Sequence, residues 1–148
     1  MFKFKLDSVL NYRRRIEDLR QQELAQCRTT WENEKKRLEH YQTLWRTCLD
    51  QWRSLQSSSV AILEVELYQR YMLKLREEIR LQADKVRECL EALDAQRDRV
   101  LQARKDRKMI EKLHEYALIR HRTERARHET RFLDETAAQR YVIRKPLT

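Results

Sequence analysis

Glycine is absent from this chain of 148 residues, and its one proline, Pro146, lies near the end. The chain therefore lacks the residue best suited to positive φ in tight turns. Between two long runs of helix-forming residues there is one cluster of small turn formers, Gln56-Ser57-Ser58-Ser59. If the chain reverses direction, we expect it to do so at 56–59.

Aromatic residues and long apolar runs are also scarce. Aromatics make up 8% of the chain and charged residues 39%. No run of about 20 apolar residues exists, so we expect no membrane span. The opening MFKFK lacks the apolar region of a secretory signal. The composition favours long helices with narrow apolar stripes over a compact core.

Sequence motifs typical of metal sites, disulfide frameworks and nucleotide-binding enzymes are also missing. The three cysteines, Cys27, Cys48 and Cys89, are widely spaced and form no CxxC pair. They indicate neither a zinc site nor a disulfide framework, and they fit a reducing cytoplasm. Without glycine there is no P-loop and no dinucleotide fingerprint. We therefore expect no enzymatic activity, no catalytic or metal-binding residues and no cofactor.

What the sequence does contain is a repeat of apolar residues alternately three and four apart. Asp7 or Ser8 is suited to cap a first helix over about 8–55. Its core positions fit a heptad repeat and predict a coiled coil. An upstream set is offset by about one residue, which predicts a stutter that locally unwinds the supercoil. The later set is Leu24, Cys27, Trp31, Leu38, Tyr41, Trp45, Cys48, Trp52 and Leu55, interrupted by polar Glu34, and the upstream set is Val9, Tyr12, Ile16 and Leu19.

A second helix over about 60–141, capped by Ser59, continues the same spacing. Its core positions run from Tyr68 to Ile110 and pass through polar Gln82. The predicted fold is all-α: one domain over 1–148, an antiparallel two-helix coiled-coil hairpin with a longer C-terminal helix. With the tip at residue 58, Val9 would lie opposite roughly Arg107.

The longer helix should therefore extend beyond its partner by on the order of 45 Å. Its core positions also become polar there, and we expect no pairing within the chain. Such a helix suits enclosure by another protein. The residues at these core positions are His114, Ala117, His121, Glu124 and His128.

Two sets of residues are candidate sites. His114, His121 and His128 are seven apart, too far for one metal ion, so solvated or partner-facing roles are favoured. Near the turn, a narrow core cannot bury every aromatic ring, and core packing alone and core packing plus partner binding are equally supported. These rings belong to Tyr41, Trp45, Trp52, Tyr68 and Tyr71.

The net charge of +9 admits nucleic acid, an anionic membrane surface or an acidic protein as partner. Acidic residues interleave with the basic ones, which favours a solvated helix face and argues against a nucleic-acid groove. An acid-lined cavity is the alternative environment for the basic end of the second helix. Its candidate contacts are Arg120, Arg122, Arg125, Arg127 and Arg131.

Three stretches resemble the flagellar export protein FliJ family. Residues 2–13 read FKFKLDSVLNYR and are followed by Glu17. Residues 104–113 read RKDRKMIEKL, and residues 133–137 read LDETA with Arg140-Tyr141 after them. The opening stretch is the most specific of the three, and the resemblance covers nearly the whole chain.

This resemblance implies a component of the flagellar type III export apparatus, cytoplasmic and peripheral at the inner membrane. Family members are antiparallel two-helix coiled coils similar to the gamma stalk of rotary ATP synthases. They insert into the hexameric export ATPase, promote its assembly, contact the membrane export-gate protein and escort export chaperones. No nucleic acid and no direct membrane insertion are expected.

The resemblance also implies a gate-binding patch near the tip, which we call the tip patch. Glu34, Glu78 and Gln82 would flank it, and Glu78 departs from the small residue expected there. The five residues of the tip patch are Leu38, Tyr41, Trp45, Tyr71 and Leu75.

Two other functions remain open at this point. A basic coiled-coil protein that binds nucleic acid predicts affinity that falls steeply with salt. An export chaperone predicts a stable complex with a flagellar substrate without the ATPase.

Overall fold

The chain consists of two long helices, α1 over Asp7–Leu55 and α2 over Ile62–Arg144. The structure is a computed structural model that describes residues 2–57 and 61–144. Of these residues, 94% are helical and none is in a strand. The helices pack against each other with contacts that run in opposite directions along the two sequences, and α2 has 83 residues against 49 in α1. The predicted all-α antiparallel hairpin with a longer C-terminal helix is confirmed.

The helix ends lie close to the predicted residues. After α1, the backbone N–H of Gln56 donates to the carbonyl of Trp52 at 3.2 Å, and Ser57 N–H donates to Ser54 at 3.4 Å. Ser58 and Ser59, with the predicted cap at Ser59, lie outside the described residues. Helix α2 continues to Arg144, and the tail predicted beyond it also lies outside them. Neither described helix is long and apolar enough to cross a membrane.

Contacts divide the chain into two compact units. Unit 1 comprises 1–17 and 103–148, and unit 2 comprises 18–102. A single domain over 1–148 stays a prediction.

In unit 2, the heptad positions hold a core with polar layers. Leu75, Leu93 and Val100 are buried at the predicted spacing. Gln82 and Gln96 are buried as well. Each occupies the core position that an apolar residue would otherwise take, so the repeat is continuous.

The amide groups of these two glutamines are hydrogen-bonded. Gln82 Nε2 donates to the backbone carbonyl of Glu34 at 2.9 Å and to its carboxylate at 2.6 Å. Gln96 Nε2 donates to the Glu23 carboxylate at 2.8 Å and to the carbonyl of Arg20 at 3.3 Å. Because a buried amide needs partners, these bonds favour one register of the helices.

The predicted stutter in α1 is wrong. Tyr12 and Leu19 are exposed, whereas Leu10 and Glu17 are buried. The heptad repeat therefore continues without offset through Leu10, Arg13 and Glu17. The prediction failed because the core positions Arg13 and Glu17 are charged. The apolar residues that directly precede them, Tyr12 and Ile16, have the spacing of a repeat shifted by one residue.

We expect the stability of the hairpin to fall in acid. Glu34 has a pKa below its ordinary value of 4.5, mainly because Gln82 hydrogen-bonds its carboxylate and also because Lys85 lies beside it. A lowered folded-state pKa stabilises the fold above the unfolded value, and this contribution is lost as pH falls below 4.5 through the folded pKa. Glu34→Gln should therefore show a smaller decrease in melting temperature between pH 6 and pH 3, as measured by circular dichroism. Equal decreases in the two proteins would contradict the assignment.

Candidate partner-binding surfaces

The tip patch is divided between core and surface. Leu75 is only 4% exposed and serves as a core residue, whereas Tyr71 is 45% exposed. Leu38, Tyr41 and Trp45 are half-buried at core positions of α1. A partner could therefore contact the ring of Tyr71 directly and the exposed edges of Leu38, Tyr41 and Trp45. Leu75 would support these side chains from the core.

Two of the three residues predicted to flank the tip patch, Glu34 and Gln82, are partners of each other. Gln82 is buried against Glu34, and the Glu34 carboxylate also pairs with Lys85 Nζ at 3.3 Å. Glu78 is half-buried. Gln82 is 7% exposed and therefore offers little surface to a partner.

An apolar groove lies beside the core near the tip. Trp45 and Trp52 of α1 form one wall, and the indole N–H of Trp52 is buried without a hydrogen-bond partner among the described residues. On the α2 wall, the heptad pattern predicted Met72 as a core residue, but sequence reasoning missed the three residues beside it, although their spacing of four and three marks one helix face. That wall consists of Gln69, Met72, Leu73 and Arg76.

The N-terminal segment before α1 covers part of α2 in unit 1. The ring of Phe4 contacts His114 edge-on at 4.9 Å between centroids. Phe2 contacts His114 at 5.7 Å and His121 at 5.3 Å. The expectation that His114 and His121 pair with nothing in the same chain is therefore wrong. Two phenylalanines from a non-helical segment supply the apolar partners that the heptad pattern did not show.

A charged cluster lies at the core of unit 1. Buried Glu17 accepts hydrogen bonds from the guanidinium groups of Arg104 and Arg107, and Arg107 also pairs with Glu111 at 2.6 Å. Glu17 raises the pKa of Arg107, and Arg107 lowers the pKa of Glu111. The positive charges of Arg104 and Arg107 compensate the negative charge of Glu17, so the buried carboxylate can occupy a core position.

Beyond His121 the core positions of α2 are exposed. His121 is half-buried, but Glu124 and His128 are exposed, and we call residues 122–144 the overhang. At 1.5 Å per residue it is roughly 35 Å long, shorter than expected because Phe2 and Phe4 extend the pairing.

All five candidate arginines of this end are exposed. Arg120 pairs with Glu124 and Arg125 with Glu129, each at 2.9 Å along the helix. Arg122, Arg127 and Arg131 form no ion pair within the described chain. These three guanidinium groups are therefore available to an acidic partner, while the other two match the solvated-face interpretation.

The overhang also exposes large apolar side chains that sequence reasoning left unassigned. Charged residues surround them, so the segment lacks the regular repeat that would mark an apolar face. These side chains belong to Phe132, Leu133, Tyr141, Val142 and Ile143. An overhang that is both basic and apolar has the composition of a protein-binding surface.

The histidines and cysteines form no assembled metal site. Within residues 2–57 and 61–144, no group of three His, Cys, Asp or Glu side chains is positioned to hold a metal ion. Cys27, Cys48 and Cys89 are free thiols, and burial raises the pKa of Cys48.

Comparison with known proteins gives one match. The family model described as flagellar FliJ protein matches residues 2–146, nearly the whole chain. No curated protein and no solved structure matches the chain.

Proposed function

We propose that this chain, which belongs to the flagellar FliJ family and is a component of flagellar protein export, acts as a central stalk of the export ATPase. It would promote assembly and activity of the hexameric ring, contact the membrane export-gate protein and escort export chaperones. It would do no chemistry itself, and it would work at the cytoplasmic face of the inner membrane.

The overhang carries this proposal. Its core positions are exposed, so a single helix of roughly 35 Å offers its whole circumference to a partner. Six arginines stand among four acidic residues, and large apolar residues lie between them. A ring of subunits around the helix would contact its basic and apolar side chains on every side. A single flat partner would leave the side chains of the far face exposed to solvent.

The gate contact is assigned to the tip patch. Tyr71 is its accessible aromatic ring, and aromatic residues with partly exposed faces are frequent anchors of protein interfaces. The half-buried Tyr41 and Trp45 would widen the contact. A ring partner at the overhang and a gate partner at the tip patch would then use different residues.

Replacing Tyr71 tests the gate contact. Tyr71→Ala should weaken binding of the export-gate cytoplasmic domain at least about tenfold, because truncating an interface anchor costs more than 1 kcal/mol. The exposed side chain contributes little to the hairpin, so helicity and ATPase stimulation should stay unchanged. Affinity is measured by titration calorimetry with the purified gate domain.

Leu81→Ala is the matched control, since Leu81 is also an exposed apolar residue of α2 in unit 2 but lies outside the patch. It should leave gate affinity unchanged. The double variant Tyr41→Ala with Trp45→Ala should lower gate binding as well. Wild-type gate affinity in both Tyr71→Ala and the double variant would remove the tip patch from the proposal.

A further inference from the structure

A second apolar stripe flanks the core positions of unit 1. On α2 its residues are exposed: Met109 is 63% and Tyr116 66% exposed, with Leu113 between them. On α1 its central residue, Tyr12, is exposed and the two others are half-buried. We call this surface the flanking stripe, and its residues are Val9, Tyr12 and Ile16 of α1 and Met109, Leu113 and Tyr116 of α2.

Both parts of the flanking stripe lie on one side of the helix pair. Arg14 and Glu111 each directly follow a core residue, and they form an ion pair between the helices at 3.4 Å. In an antiparallel pair, residues that follow core positions meet on one side, and residues that directly precede core positions meet on the other. Val9, Ile16 and Leu113 precede core residues. The α1 and α2 parts are therefore neighbours on the side opposite to the ion pair.

The stripe is long enough for a helix. The Phe4–His114 contact and the Arg13–Asp106 ion pair at 3.3 Å set the register of α1 on α2 in unit 1. In this register, Ile16 and Tyr116 lie at opposite ends of the stripe, roughly 20 Å apart. That length corresponds to about four turns of a third helix.

The rim of the stripe is basic. Arg15 lies along its α1 edge and Lys105 along its α2 edge, and neither forms an ion pair with any residue that the structure describes. Lys112 and Arg120 continue the α2 edge, each paired with a glutamate of its own helix. The acidic residue of this rim, Asp106, is bonded to Arg13. An occupant of opposite charge is therefore favoured, and a second copy of this chain would bring like charges together.

We propose that the flanking stripe docks an acidic amphipathic helix of a partner protein. Apolar residues of that helix at spacings of three and four would cover the stripe, and its glutamates and aspartates would pair with Arg15 and Lys105. The product is a local three-helix bundle. This inference goes beyond the stalk proposal, because the stripe belongs to the paired part of unit 1 and not to the overhang.

Two designed peptides test the charge preference. Both are about 21 residues long with leucines at one helical stripe, and they differ only in carrying glutamates or lysines beside the leucines. Fluorescence anisotropy with the full chain should show the acidic peptide binding at least about tenfold more tightly than the basic one. Equal affinity of the two peptides, or no binding of the acidic one, would overturn the proposal.

Variants of the chain test the location. Met109→Gln with Tyr116→Gln should weaken acidic-peptide binding at least about tenfold, since two exposed apolar contacts are lost. Arg15→Glu with Lys105→Glu should reverse the peptide preference. Leu81→Gln, an exposed site in unit 2, is the control and should change neither peptide affinity nor melting temperature. Loss of binding in the control equal to that in the stripe variant would contradict the location.

Sedimentation equilibrium tests whether a second copy of this chain, and not an acidic partner helix, occupies the flanking stripe. The proposal expects the chain to stay monomeric at the concentrations used for peptide binding. A dimer that Met109→Gln with Tyr116→Gln converts to monomer would show that a second copy occupies the stripe, and the acidic partner would be rejected.

Discussion

A chain that ends at His121 should fail to stimulate the export ATPase. This truncation removes the overhang, whose exposed arginines and apolar residues form the surface proposed for the ring. It leaves in place the contacts of Phe2 and Phe4 with His114 and His121, so the hairpin of unit 1 keeps its partners. ATP hydrolysis at several ATPase concentrations should then remain near the rate of the ATPase alone. Electron microscopy should also show fewer assembled rings than with the full chain.

The control for this experiment is Tyr71→Ala, which alters the other candidate surface, the tip patch. It should stimulate hydrolysis like the full chain, while the truncated chain should bind the gate domain normally. Circular dichroism would establish that the truncated chain loses helical signal only in proportion to the missing residues. Full stimulation by the truncated chain would reject the overhang as the ring contact and leave the gate assignment standing.

Leu93→Ala should destabilise the hairpin more than any exposed substitution. Leu93 is 1% exposed, the most deeply buried large side chain among the described residues. Removing its isobutyl group loses burial and leaves a cavity between the helices, which costs about 3 kcal/mol of unfolding free energy. Urea unfolding followed by circular dichroism measures this loss through the transition midpoint.

Leu90→Ala makes the same chemical change three residues away. Leu90 is 39% exposed, so its replacement should cost less than about 1 kcal/mol. Similar midpoints for the two variants would mean that the helices do not pack through Leu93 in solution.

The fold was largely predictable because both helices repeat apolar residues at spacings of three and four. That pattern and the serine cluster were sufficient for a hairpin with unequal helices. Polar core residues were the main obstacle. Gln82, Gln96 and Glu17 resemble interruptions of the apolar repeat, because their hydrogen-bond partners belong to the other helix and are distant in the sequence.

The candidate surfaces were less predictable for a related reason. Tyr71 and Leu75 are four residues apart on one helix, yet one is exposed and the other buried. This difference in exposure depends on the width of the apolar face of α2 and on which part of that face α1 covers. The contact of Phe2 with His121 could not be predicted for another reason. Phe2 precedes α1, so the heptad repeat of the helix does not extend to it.

The glutamine layers of unit 2 restrict how this unit can transmit a signal. Gln82 and Gln96 are fourteen residues apart, two heptads, and each donates to a glutamate of α1. Sliding α2 by one heptad would keep apolar residues in the core but would move both amides away from their acceptors. Each unpaired amide would cost about 1–3 kcal/mol, and the two costs arise together. Helix sliding is thus opposed within this unit, and we expect a force applied at one end of the unit to displace both helices as a single rod.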